Sequence, residues 1–407
     1  MRADVLVVGG GAAGMMAALQ AAGRGRKTVL LEKNQRPGLK ILISGGGRCN
    51  LTTTRQGKDL EAQYGKRRGR WLRHALRSFP PTALRAFIEA AGVPLREEDL
   101  EKLFPVSQRA RDVVDALLRR CDEDGVEWVR GAPVSEVSRD RDGFVVRTPR
   151  GAFVASSVVL ATGGLSYPKT GATGDAYPWC RAFGHTITET YPALAPLRIE
   201  EGWVHDLQGI VLDGVDIGCV GAGGVETLRR RRPILFTHKG LSGPAPMDLA
   251  GDVEEQRGGA RARFDFSPET HREALEQQWL ATSRTHGARR VDALLPRALP
   301  ERVRHALVRL SGVGAETTLA GLSKDARRRL LATVKDLRVP APKSLGYGAA
   351  EVTRGGVALD EVDARTMESK LQPGLFLCGE LLDVDGPIGG FNFQAAFATG
   401  RLAGLHA

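Results

Sequence analysis

Apolar residues fall first in a short run, Ala3 to Val8 (ADVLVV), interrupted only by Asp4 and suited to a buried parallel strand. Gly9, Gly11 and Gly14 follow in GxGxxG spacing, and Ala12 to Arg24, rich in Ala, Met and Leu, predicts a helix. Lys27 to Leu31 predicts a second strand that ends at Glu32. This order is a dinucleotide fingerprint. The first glycine permits a tight turn, the second lets the backbone approach a pyrophosphate, and the third lets helix and strand pack closely. The helix N-terminus, with Ala12 and Ala13, faces the phosphates. Glu32 lies about 18 residues past Gly14, near the roughly 20 expected for an acid that binds ribose hydroxyls. Its carboxylate disfavours a 2′-phosphate, so NADP is not expected at this site.

Beyond Asn50 a polar, basic stretch to about Arg70 predicts a loop. Trp71 to Ala91 predicts one or two helices, broken at Pro80-Pro81. Ser107 is placed to cap a helix over Arg109–Asp124, with Val113, Val114, Leu117 and Leu118 on its buried face. Val126–Val129 predicts a strand. Three extended runs (Val134–Ser138, Phe144–Thr148, Phe153–Ser156), turned at Asp142-Gly143 and Arg150-Gly151, predict a β-meander. A further strand, Val158–Leu160, ends in Ala161-Thr162-Gly163-Gly164, where glycines let the chain pass close to a cofactor. Leu197–Phe266 reads as short β-segments. Pro268–Thr333 reads as helical, with segments near Glu273–Leu280, Ala288–Leu295, Glu301–Leu310 and Lys324–Leu337. Phe391–Leu405 is an apolar helix. The expected fold is α/β: a discontinuous Rossmann-like cofactor domain (1–191 and 341–407), an inserted β-rich domain (192–266) and a helical subdomain (267–340).

Two further segments carry chemistry. Gly38–Asn50 (GLKILISGGGRCN) is a second glycine-rich loop with interspersed Lys, Ser, Arg, Cys and Asn, suited to lie against a flat redox ring. Gly374–Gln394 runs from a strand into Gly379-Glu380, then through an Asp- and Gly-rich loop to Gly389-Gly390-Phe391-Asn392 at a helix start. An acid at the strand end accepts hydrogen bonds from ribityl hydroxyls, and helix N-terminal N–H groups favour negative charge at a flavin's pyrimidine edge. The alternative for Glu380, Asp383 and Asp385 is a solvated turn.

With 407 residues, 42% hydrophobic and 26% charged, the chain has an ordinary globular composition. No apolar run reaches the ~18 residues of a membrane span, the stretch 5–22 being interrupted by glycines, and a cytoplasmic location is expected. Its cysteines, Cys49, Cys121, Cys180, Cys219 and Cys378, are scattered without CxxC spacing, so neither metal nor disulfide is expected. The net charge of +11 includes a run at Arg229–Arg232, read as a solvated loop. A small-molecule substrate is expected, and neither a membrane nor a nucleic-acid partner.

The chain resembles the HI0933-like flavoproteins, which include aminoacetone oxidase-like and bile-acid reductase-like members. The resemblance rests on GGGAAG (9–14), KILISGGGRCNLT (40–52), LATGGLSYPKTGATGDAY (160–177), LFTHKGLSGP (235–244) and the segment Val352–Gln394. It implies non-covalent FAD in a Rossmann-like domain of glutathione reductase/fumarate reductase type. It places Gly9, Gly11, Ala12, Ala13, Gly14, Glu32, Lys33, Lys40, Ser44, Gly45, Gly46, Arg48, Asn50 and Val134 at the cofactor. It adds Thr162, Gly163, Gly164, Gly379, Glu380, Asp385, Gly390, Phe391, Asn392 and Phe393. Lys40, Ser44, Gly45, Gly46, Gly379 and Glu380 also match positions in the more distant fumarate reductase and ketosteroid dehydrogenase group, whose Arg/His acid–base set is not recognisable here.

The expected reaction is hydride transfer between flavin N5 and a small organic substrate. The foremost version is an NAD(P)H-linked reductase of an unsaturated carbonyl compound, with NADH or NADPH as donor. The alternatives are an amine oxidase using oxygen and a non-catalytic or RNA-associated flavoprotein. Tyr167 is the candidate proton donor, or else a packed aromatic. Arg48, Asn50 and Lys169 are candidates near the ring. Cys49 is expected as a small buried residue, and His238 with Ser242 as either cavity lining or a structural turn. A second complete GxGxxG is missing, so any nicotinamide donor lacks a Rossmann domain of its own.

Overall fold

Leu31, Val8, Leu160 and Leu377 lie in one row across four parallel strands. The computed structural model describes residues 1–340 and 342–407. Ala341, where the second part of the expected cofactor domain begins, lies outside the described residues. The chain divides into two compact units, Met1–Pro192 with Ala350–Ala407, and Ala193–Ala349.

The first unit is built on a sheet of β1 (Arg2–Val8), β2 (Thr28–Glu32), β3 (Glu127–Arg130), β4 (Glu136–Asp140), β5 (Gly143–Thr148), β6 (Gly151–Leu160) and β7 (Leu375–Leu377). Its order is β3-β2-β1-β6-β5-β4, with β7 beside β6. β6 corrects the expected meander, because its third segment and the returning strand are one element. Its first half pairs antiparallel with β5, and its second half pairs parallel with β7. Burial alternates along the first half and is continuous through the last four residues, which sit between β1 and β7. The chain leaves β1 toward β2 on one side and returns to β6 on the other. The crevice at the strand carboxyl ends there is the usual ligand position in such sheets.

The helices of this unit include α1 (Ala12–Ala22), α2 (Leu39–Gly47), α3 (Gly57–Gln63), α4 (Gly65–Ser78), α5 (Pro81–Ala90), α6 (Ala110–Glu123) and α7 (Phe391–His406), with a further short one at Ala176–Ala182. The loop expected after Asn50 is thus corrected to helix α3 and the start of α4. Here buried Leu60, Tyr64, Leu72 and Leu76 recur every fourth or eighth position among basic residues, which masked the apolar stripe. α6 begins at Arg109 without a side-chain cap, so the expected Ser107 cap does not form. α7 packs backbone to backbone on α1. A Cβ on Gly400 would stand 2.3 Å from the Ala13 carbonyl oxygen, and one on Gly404 would stand 2.1 Å from that of Ala17. Phe397 and Leu402 are buried alongside, each contributing about 1.5–3 kcal/mol.

The second unit holds two sheets. One runs Glu226–Arg230, Asp216–Val220, Arg261–Asp265, Leu337–Pro340; the other joins Val211–Leu212, Ile234–Thr237, Gly240–Ser242, Leu197–Arg198 and Lys343–Ser344. Its helices include Pro244–Glu255, Arg272–Thr285, Glu301–Leu310 and Lys324–Asp336. The helix expected over Ala288–Leu295 is only a short 3-10 turn, Val291–Leu294. The Arg229–Arg232 run is not the solvated loop expected of it. It reaches off a strand into carboxylates, Arg229 to Glu226, Arg230 and Arg232 to Asp248, and Arg231 to Asp216 and Glu269. His238 is exposed at a hairpin turn and Ser242 donates to the Met247 sulfur, as a structural turn would have it.

Candidate cofactor site

The row of residues across β2, β1, β6 and β7 delivers Glu32, Gly9, Ala161 and Cys378 to one edge of the sheet, and the glycine-rich loops all depart from there. Gly9 and Gly14 allow the first of these loops. An added Cβ would lie 2.6 Å from the Ala161 carbonyl oxygen at Gly9 and 1.8 Å from the Gly9 carbonyl oxygen at Gly14. α1 starts at Gly11 with no side-chain cap, and nothing stands within 4 Å of the space a Cβ there would take. Its N-terminal N–H groups are therefore open to an anion.

Glu32 is 7% exposed. It accepts from the Gly10 N–H at 2.7 Å and from the Asn34 backbone and side-chain N–H groups at 2.7 and 2.8 Å. A carboxylate offers about four acceptor positions, so one is left for a ribose hydroxyl. Lys33 bonds Asp175 and Thr173, and Asn34 donates to the Thr170 carbonyl, so the 166–175 loop is stitched to the end of β2. The Thr162 hydroxyl is buried beside Gly9 without a partner. Val134 is half-buried four residues past β3. An orphaned hydroxyl, an open helix terminus and a buried acid with spare acceptor capacity fit the ADP half of FAD.

The second loop meets the C-terminal segment. Lys40 Nζ lies 2.7 Å from Glu380 Oε2 and 2.8 Å from Ser166 Oγ. Glu380 Oε1 accepts from Ser166 Oγ at 2.6 Å and from the Thr353 N–H at 3.0 Å. Three motifs distant in sequence therefore share one ion-paired junction. Glu380, expected as an acceptor for ribityl hydroxyls, spends its carboxylate largely on protein groups. Ser166 and Thr353 were missed as individual residues, although both stand inside the segments that carry the family resemblance.

Past Lys40, Ser44, Gly45 and Gly46 break the α2 geometry, Ser44 extended and both glycines left-handed. The space a Cβ on Gly46 would occupy is open, which suits a backbone surface for a flat ring. Cys49 is buried and its thiol pushed up to about 12 by that burial, as befits a packing residue rather than a redox one. Among the described residues no cluster could hold a metal. Asn50 accepts from the Gly390 N–H at 3.0 Å and donates to the Thr52 carbonyl at 3.2 Å. Asn392 pairs with both backbone groups of Gly386. Arg48, a candidate near the ring, is engaged by protein groups. Its guanidinium is held by Glu98 and Gln108 at 3.0 and 2.9 Å and lies 4.4 Å over the Phe104 ring.

Asp383 and Asp385 are not a solvated turn. Both are buried; Arg68 bridges the two, Arg67 also reaches Asp383, and Arg354 reaches Asp385 at 3.1 Å. Phe391 is buried, and its carbonyl accepts from the Tyr64 hydroxyl at 2.7 Å. Phe393 packs on Phe397. Gly163 and Gly164 lead to Tyr167, which is half-buried with a left-handed backbone (φ 48°). Burial, then the Glu351 carboxylate, pushes its phenol up. Lys169 is exposed.

This sheet, with its row of loops and its nucleotide-fitting edge, is that of a Rossmann-type dinucleotide-binding domain. The chain belongs to the HI0933-like family, whose Rossmann-domain model matches residues 3–406. It is 32% identical to the ribosomal RNA dihydrouridine synthase of Escherichia coli, over 98% of this chain and 96% of that protein. It is 28% identical to the 3-dehydro-bile acid delta(4,6)-reductase of Clostridium scindens, over 98% and 97%. The 3-ketosteroid-delta4-(5alpha)-dehydrogenase of Rhodococcus jostii, solved with 4-androstene-3,17-dione, shares the fold with a TM-score of 0.51 at 16% identity, over 100% of this chain and 96% of that one.

Proposed function

We propose that this protein reduces a carbon–carbon double bond conjugated to a carbonyl, and that the bond is the C5=C6 bond of uridine in RNA. The observation that carries this is Tyr167, a half-buried phenol that directly follows Ser166 of the Lys40–Glu380 junction. When bound, FAD supplies a hydride from its reduced ring. The double bond takes that hydride at its β-carbon and a proton at its α-carbon, and NADH or NADPH, oxidised in turn, supplies the electrons.

Tyr167 is the donor of that proton. Lys33 and Asn34 fix the loop that carries it. The N-terminus of α7, without a side-chain cap, would hold the pyrimidine edge of the ring. Lys40 and Glu380 keep the two loops in register. The names of the relatives support the reading, since dihydrouridine formation and a delta(4,6)-reduction both saturate such a bond. RNA is put before a small molecule, in contrast to the expectation from sequence alone. The reasons are the higher identity to the RNA enzyme and the net charge of +11.

Anaerobic mixing tests this. The holoprotein is reduced with NADH or NADPH, then mixed with ribosomal RNA lacking dihydrouridine, with a delta(4,6) 3-oxo steroid, or with dioxygen. Reoxidation of the flavin by the RNA is expected. Reoxidation by the steroid alone puts the small molecule in its place. Reoxidation only by dioxygen puts an oxidase there.

A further inference from the structure

The basic run most conspicuous in the sequence, Arg229–Arg232, is committed to Asp216, Glu226, Asp248 and Glu269. Helix α4 is different. Its sequence, GKRRGRWLRHALRS, holds six Lys and Arg residues and no acid. Lys66, Arg70, Arg73 and Arg77 recur at spacings of four, three and four, which places them on one face of the helix. All four are exposed. Lys66 and Arg70 have no ion-pair or hydrogen-bond partner among the described residues, nor does the adjacent exposed His74. Arg73 and Arg77 share one carboxylate, Glu61. At 1.5 Å per residue this stripe is about 16 Å long.

The helix is fastened to the candidate site. Arg68, one turn into α4, bridges Asp383 and Asp385 of the loop before α7, and Tyr64, just ahead of the helix, bonds the Phe391 carbonyl. The apolar side, with Leu72, Ala75 and Leu76, is buried. The basic side is thus held rigidly and left open, on a helix tied to the same loop that borders the cofactor.

We propose that the Lys66–Arg70–Arg73–Arg77 face of α4 binds the phosphate backbone of the RNA whose uridine is reduced, an inference that rests on the RNA reading above. A linear row of cations matches a chain of regularly spaced phosphates, and such contacts give affinity that falls with salt.

The test is fluorescence anisotropy of a labelled uridine-containing RNA hairpin with the holoprotein across a salt series. It compares the wild type, Lys66→Gln/Arg70→Gln, and Lys324→Gln/Arg328→Gln, which removes the same charge from exposed positions in the second unit. The α4 variant is expected to bind more weakly and to reduce the slope of log affinity against log salt by about two, one per lost phosphate contact. The control is expected to bind as wild type does, and bound flavin absorbance in all three reports intact folding. Equal binding by the α4 variant, or an equal loss in the control, overturns the proposal. If RNA is still reduced in that case, the functional reading stands without it. A wild type that binds anionic phosphatidylglycerol vesicles but no RNA overturns both.

Discussion

Lys40 and Glu380 stand 340 residues apart in the chain and 2.7 Å apart in the fold. Their side chains are 25% and 15% exposed, so the pair is shielded from water without being sealed from it. Ser166 bonds both partners, and Thr353 completes the set. This one junction fixes the second glycine loop against the segment that precedes α7.

Lys40→Met is therefore expected to cost about 1–3 kcal/mol, the range for stranding a largely buried polar partner, and to loosen the flavin. Urea midpoints for Lys40→Met, Glu380→Gln and the double variant measure it. Coupling requires that the double variant lose less than the two single losses added. Strict additivity would show that the pair does not act as a unit.

The fingerprint around Gly9–Glu32 was fully legible in the sequence, since every feature of it lies within one βαβ stretch. The Lys40–Glu380 junction was legible only as two separate motifs, because nothing local in either one encodes its partner. Residues 57–70 misled for another reason. Their arginines are long enough to reach buried acids and hid the apolar spacing of Leu60 and Tyr64. The burial of Asp383 and Asp385 in ion pairs was not legible either, because the arginines that neutralise them come from that same misread stretch and from Arg354.

Gly404→Ala is expected to destabilise by about 1–3 kcal/mol through overpacking. Its Cβ would press to 2.1 Å from the Ala17 carbonyl oxygen. Gly223→Ala, with nothing within 4 Å, serves as the comparison and should change little. Thermal melts of the two variants decide it, and equal melting temperatures would refute the close packing of α7 on α1.

Tyr167→Phe removes the proposed proton donor and leaves the ring in place. Reduction of the double bond should slow by about a hundredfold or more, while reduction of the flavin by its nicotinamide donor keeps its rate. Stopped-flow measurement of the two half-reactions separates them. A loss confined to the donor half-reaction would assign Tyr167 a different role.

His185 is buried, with Nδ1 3.2 Å from Glu361 and Nε2 2.7 Å from Ser369. Burial lowers its pKa below the ordinary 6.5, and Glu361 only partly opposes this. The unfolded chain takes up that proton more readily than the folded one does. The stability contributed by neutral His185 is therefore complete above about pH 6.5 and is lost as the pH falls toward the lowered folded value. Denaturant midpoints between neutral and mildly acidic pH should fall more steeply for the wild type than for His185→Gln. Parallel curves would place the acid sensitivity elsewhere.

The most direct measurement is the mass of the RNA product. Ribosomal RNA lacking dihydrouridine is incubated anaerobically with the holoprotein and NADH or NADPH, then digested to nucleosides. The expected result is one nucleoside heavier by two hydrogens than uridine, formed only with holoprotein and donor together and strongly reduced with Tyr167→Phe. Unchanged RNA, from a protein whose bound FAD the nicotinamide donor reduces, would contradict RNA uridine as the substrate.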